Sequence, residues 1–226
     1  MKKTSRKMRK PLLVVCCMLV LIAVSVSATL AYFTDSATAV NTFTVGKVDL
    51  SLDETETDEN GVAVDPDKKT QSNKYHLVPG KSYMKDPTVH VDADSQDSWI
   101  YVKVENGIAD IEAADTDTTK TIATQIAANG WKPLEGVDNV YYMAYAKGQT
   151  DKDLEVFASF TLKGKGLVNG TAGEGEVSID GFASATVKIT AYAVQMGGFD
   201  SDEKTDVQNA KAAWEAGQAQ GWTVNN

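Results

Sequence analysis

Trp99-Ile100-Tyr101-Val102-Lys103-Val104 is the stretch that decides the class of this chain. Its residues are β-branched or aromatic, and it alternates with a period of two, as a half-buried strand does. The same alternation runs through Phe43-Thr44-Val45, Val48-Asp49-Leu50-Ser51-Leu52 and Thr88-Val89-His90-Val91. It returns over residues 140–146, 154–162 and 186–194, all rich in Val, Ile, Tyr and Phe. Turn pairs separate these runs: Pro79-Gly80, Asn106-Gly107, Glu135-Gly136, Lys147-Gly148, Lys163-Gly164 and Asn169-Gly170. Many strands with short polar connections, and no regular strand–helix alternation, predict an all-β, antiparallel β-sandwich.

Two segments break the pattern with helical spacing. Residues 118–128 place Ile122 and Ile126 on one face, with Asp115 or Asp117 as N-cap and Asn129-Gly130 as the stop. Residues 206–216 carry Val207, Ala210 and Trp214 at helical spacing, and Trp214 is expected to pin this helix to the sandwich. Residues 53–74 hold seven acids, three lysines and no aromatic residue. So polar a stretch reads as a long flexible loop. Residues 164–175 carry five glycines and read as a mobile hairpin.

Charge is unevenly placed. The 226 residues hold 31 acids and 22 bases, a net charge of −9, yet six bases and no acid fall within the first ten positions. After that basic start come the apolar residues 12–24, including both cysteines, Cys16 and Cys17, and then Ser25-Val26-Ser27-Ala28-Thr29-Leu30-Ala31. This is the order of a secretory signal peptide. The 13 apolar residues span about 20 Å as a helix, against about 30 Å for a bilayer core. A leader over 1–31 and a single domain over 32–226 are therefore expected, with an exported body secreted to the extracellular matrix or cell surface. No sorting signal is read in Gly221-Trp222-Thr223-Val224-Asn225-Asn226.

Without the leader, the body keeps all 31 acids but 16 bases, has no cysteine, and stands at −15 over 195 residues. That balance argues against nucleic acid as a partner, and the missing thiols exclude disulfides and cysteine chemistry. Catalysis lacks a candidate. His76 and His90 lie 14 apart without a glutamate at helical spacing, so no zinc-protease motif is present. No Gly-x-Ser-x-Gly elbow or phosphate-binding loop is found. The acidic turns Asp92-Ala93-Asp94-Ser95-Gln96-Asp97, Asp115-Thr116-Asp117 and Asp200-Ser201-Asp202 lack the EF-hand's twelfth-position glutamate, which is Lys103, Ile126 and Lys211 in turn. No cofactor is expected; loop-borne calcium outside the EF-hand pattern stays open, beside the plainer reading of solvated acidic turns.

The leader junction carries the most specific signal. Ala28-Thr29-Leu30-Ala31-Tyr32-Phe33-Thr34-Asp35, followed by Asn41-Thr42-Phe43-Thr44-Val45-Gly46-Lys47-Val48, resembles the TasA/camelysin family of exported Gram-positive proteins. Leu77-Val78-Pro79-Gly80-Lys81-Ser82-Tyr83-Met84-Lys85-Asp86-Pro87 resembles that family's Pro-Gly turn and Lys-Asp strand start. Thr186-Val187-Lys188-Ile189-Thr190-Ala191-Tyr192-Ala193-Val194-Gln195 resembles its C-terminal core strand.

The resemblance implies a jelly-roll-like sandwich and a subunit of a biofilm-matrix fibre. It also implies a cut by a dedicated signal peptidase between Ala31 and Tyr32. The exposed segment Tyr32, Phe33, Thr34, Asp35 and onward to Val40 is then a donor strand for the next copy. The implied partners are the chain itself, the signal peptidase and other matrix proteins. Camelysin relatives imply a rival reading as a surface metalloendopeptidase, and an uncut leader would make a membrane-tethered monomeric binding module.

Overall fold

A computed structural model describes residues 48–150 and 152–219. The chain divides into two units, Met1–Val45 and Gly46–Asn226, and every described residue belongs to the second. The leader, its junction at Ala31 and Tyr32, the segment from Tyr32 through Phe33, Thr34 and Asp35 to Val40, and the strand expected at Phe43-Thr44-Val45 lie outside the described residues.

The described chain is all-β. Its strands are β1 (Leu50–Thr55), β2 (Lys69–Thr70), β3 (Ser82–Met84), β4 (Thr88–Val91), β5 (Ser98–Asn106), β6 (Lys132–Pro133), β7 (Val140–Tyr145), β8 (Asp153–Glu155), β9 (Ser159–Thr161), β10 (Leu167–Val168), β11 (Val177–Ser178) and β12 (Val187–Gln195). Helix α1 (Ile122–Ala128) lies between β5 and β6, and helix α2 (Asp206–Ala219) follows β12. Two four-stranded antiparallel sheets have the orders β2-β1-β4-β8 and β12-β5-β7-β6. β3 pairs with β9, and β10 with β11.

The two sheets share one apolar core. Val89 and Val91 of β4 and Leu154 of β8 meet Ile100, Val102 and Val104 of β5, with Leu50, Leu52, Ile189 and Ala191 half-buried around them. A second core lies on the other face of the β5 sheet. There Trp99, Tyr101, Val140 and Tyr142 pack against Ala210, Ala213 and Trp214 of α2. Trp214 lies 5.2 Å from the Tyr101 ring and 5.5 Å from the Tyr192 ring, and the Tyr101 hydroxyl donates to the Ala210 carbonyl at 2.6 Å. The expected anchoring of this helix by Trp214 is thus found.

This layering corrects the reading of residues 99–104. β5 is not half-buried: Ser98 through Val102 are all buried, because alternate residues feed two different cores. Residues 154–162 are also not one strand. They form β8, paired with β4, and β9, paired with β3, with Val156 and Phe157 buried at the break. α1 starts at Ile122, later than expected, with Thr121 as its N-cap. Asp115 acts one step back, accepting from the Thr121 N–H and the Thr124 hydroxyl, each at 2.6 Å. Ile122 and Ile126 are both buried, as their spacing predicts.

Residues 53–74 differ most from expectation. β1 continues through Asp53 and Glu54 to Thr55, where β2 pairs with it. The turn beyond is closed by the Asp58 carboxylate, which accepts from the N–H groups of Asn60 and Val62 at 2.9 Å. The polarity of this segment serves internal hydrogen bonds, so it folds without an apolar core of its own. The glycine-rich stretch is not a hairpin either, since Leu167 and Val168 pair in parallel with Val177 and Ser178.

Candidate functional site

A sheet edge exposes backbone N–H and C=O groups that need partners. On one side of this molecule they find them in side chains. Gln125 of α1 accepts from the N–H groups of Ala158 and Ser159 at 3.1 and 3.2 Å and donates to the Ser159 carbonyl at 2.8 Å. Trp131 Nε1 donates to the Glu155 carbonyl at 2.9 Å, and Asn129 Nδ2 reaches the Val156 carbonyl at 3.4 Å. The Ala113 N–H donates to the Thr161 carbonyl at 2.8 Å. The β8–β9 edge is closed.

Among the described residues, the other side has no such closure. β12 pairs with β5 alone, so among the described residues Val187 through Ala191 meet no strand on their second edge. β1 is partnered by β2 only at Glu54 and Thr55, which leaves Leu50 through Asp53 in the same condition. Between these two edges lies a groove of about 1770 Å³, its apolar lining including Leu50, Leu52, Leu77, Phe182, Val187 and Ile189. Strand edges and an apolar floor together offer hydrogen bonds and side-chain pockets to an extended peptide.

A buried polar cluster stands in the groove wall. Glu54 Oε2 accepts from Lys85 Nζ at 2.5 Å, and Glu54 Oε1 accepts from Asn73 Nδ2 at 3.0 Å. Glu54 and Lys85 are 4% and 8% exposed. Asn73 also donates to the Thr55 carbonyl at 2.8 Å and accepts from the Thr57 N–H at 2.9 Å. Asp86 accepts from the Thr55 N–H at 2.8 Å and the Thr55 hydroxyl at 2.6 Å. Burial, and then the nearby charge of Glu54, push the Tyr75 phenol well above its usual range. Glu54 and Lys85 are thus withdrawn from water, while Asn73, Tyr75 and Asp86 are half-buried around them.

Glu54, Asn73 and Lys85 were not singled out by sequence reasoning. Glu54 and Asn73 sit in what reads as a solvated loop, and Lys85 enters only through the Lys85-Asp86 block. A lysine between the buried Tyr83 and Pro87 is the one local signal that could have marked it.

The histidines are kept in different settings. His90, on the outer face of β4, is held by Asp153 Oδ1 on β8 at 2.7 Å and by Asp53 Oδ1 on β1 at 3.0 Å. Burial works against its protonation, but hydrogen bonds and charge from Asp153 and Asp53 outweigh that, and its pKa is raised. The His76 carbonyl accepts from the Tyr83 hydroxyl at 2.7 Å. Among the described residues no three His, Cys, Asp or Glu side chains converge on a metal position. In the first acidic turn Asp92 accepts from the Asp94 N–H at 2.9 Å and Asp97 from the Lys147 N–H at 2.7 Å. No helix among the described residues is long and apolar enough to cross a membrane. Comparison with protein-family models, curated proteins and solved structures finds no match for this chain.

Proposed function

We propose that this chain is a secreted structural subunit of an extracellular fibre, each copy taking up Tyr32 to Val40 of another copy as an added strand. The observation that carries this reading is the groove bordered by the one-sided β12. A strand laid there completes the β12-β5-β7-β6 sheet as a fifth member and gives a jelly-roll-like sandwich. β12 is taken as the template because the apolar lining of the groove runs along it at Val187 and Ile189, and its five positions Val187 through Ala191 meet no second strand among the described residues. The nine-residue segment from Tyr32 to Val40 is long enough to cover those five positions. Main-chain pairing supplies affinity, and alternate side chains such as Phe33 fix the register. The resemblance of the Ala31–Tyr32 junction to the TasA/camelysin leader supports release of that segment by cleavage.

Deletion of residues 32–40 from the full chain tests this. The N-terminal mass of the secreted product establishes that processing still occurs. The expected result is a folded monomer, by circular dichroism and light scattering, that does not elongate wild-type seeds. Fibres from the deletion variant at wild-type yield overturn the proposal.

A further inference from the structure

We infer that the side chains of Lys85 and Asn73 become joined by an intramolecular amide bond, formed with Glu54 as its catalytic residue. The inference is independent of the assembly reading and rests on the buried cluster in the groove wall.

One carboxylate holds both reacting groups. Lys85 Nζ lies 2.5 Å from one oxygen of Glu54, and Asn73 Nδ2 lies 3.0 Å from the other. The orientation of the amide is fixed by its partners. Nδ2 faces two acceptors, Glu54 and the Thr55 carbonyl, while Oδ1 faces the Thr57 N–H donor at 2.9 Å. That donor polarises the carbonyl and is in place for the negative charge that nucleophilic attack creates. Nucleophile and electrophile thus share one proton carrier before any reaction.

The ion pair alone leaves the lysine poorly served. A buried ammonium has three N–H donors, and Glu54 is the only acceptor Lys85 Nζ has among the described residues. Unmet donors on a buried charge are costly. An amide nitrogen in the same place has a single N–H, which the same Glu54 oxygen can accept. Amide formation thus removes the lysine's unmet donors.

The reaction balances with these three residues. Nζ passes a proton to Glu54, and its lone pair attacks Asn73 Cγ. The Nζ–Cγ bond forms while the carbonyl oxygen takes up charge opposite the Thr57 N–H. Glu54 hands its proton to Nδ2, and the Cγ–Nδ2 bond breaks as the carbonyl re-forms, releasing ammonia. Glu54 then takes the second proton from Nζ and passes it to the ammonia, which leaves as ammonium, and Glu54 returns to a carboxylate. Nothing is oxidised or reduced.

Tryptic mapping of the purified, folded full chain by mass spectrometry tests the inference. A joined lysine resists trypsin, so residues 70–74 are expected attached to residues 82–103, one ammonia lighter than the two peptides together. The linked species should account for nearly all of the protein and be absent from Glu54→Gln. Separate peptides, with Lys85 cleaved from Asp86 and Asn73 unmodified in folded wild-type protein, overturn the inference. That outcome is read on the wild type and does not depend on whether the variant folds.

Discussion

The two edges of this molecule meet the same physical demand in opposite ways. At the β8–β9 edge, Gln125, Asn129 and Trp131 aim side-chain donors and acceptors at backbone groups, standing in for a neighbouring strand. At the β1 and β12 edges no helix plays that part among the described residues, and an apolar groove lies between them instead. A sheet edge closed by side chains is spent on its own fold; one bordered by an apolar groove is available to another strand. Both edges arise within one unit of the chain, so the difference belongs to local sequence and not to the fold class.

Four substitutions probe that contrast, beginning with the largest effect. Ala191→Phe places a ring in the groove where the half-buried Ala191 leaves room. Seeded fibre elongation, followed by light scattering, should stop, while urea unfolding changes by less than about 1 kcal/mol. At the closed edge the effect should fall on stability. Trp131→Ala removes a side chain that is 2% exposed together with its bond to Glu155, and should cost about 3–5 kcal/mol in the same unfolding assay. Gln125→Ala leaves three backbone groups without their partner and should cost about 1–3 kcal/mol, with elongation unchanged. If Gln125→Ala instead blocked elongation at intact stability, the assignment of the two edges would be reversed.

The smallest effect concerns His90, which ties β1, β4 and β8 together across the outer face. Its folded pKa is raised, so the protonated ring stabilises the fold fully below about pH 6.5, the free-imidazole value. That contribution disappears as pH rises through the folded value. The Tm advantage of wild type over His90→Asn should therefore be larger near pH 5.5 than near pH 8 (about the two sides of that range). An equal difference at both pH values would show that the two carboxylates do not act on the ring's protonation.

What the sequence revealed was local, and what it hid was long-range. Thr88-Val89-His90-Val91 forms β4 over the same four residues its alternation predicts, and Ile122 and Ile126 face the core from α1. Turn pairs such as Pro79-Gly80 and Lys147-Gly148 fall where the chain reverses, with Gly80 and Gly148 at positive φ. Residues 53–74 differ from their reading as a loop in part because Glu54 and Thr55 are satisfied from 31 positions away, by Lys85 and Asp86. No window of neighbouring residues contains that information. The double burial of β5 was hidden for a similar reason, since α2 supplies its second core from a hundred residues downstream. At the candidate site, β12 was legible as a strand, but a strand's pattern does not say whether its second edge has a neighbour.

β12 also has a mechanical consequence. Tension in a fibre joined along this strand would enter each subunit through β12 and pass to β5, to which it is paired from Val187↔Asn106 to Gln195↔Ser98. A pull along the strand axis loads these rungs together in shear, because antiparallel hydrogen bonds lie across the strands; it does not peel them open one by one. β5 is gripped from one face by the opposing sheet and from the other by Trp214 and its helix. The strand that would bear the load is therefore the one the rest of the molecule holds most firmly in place.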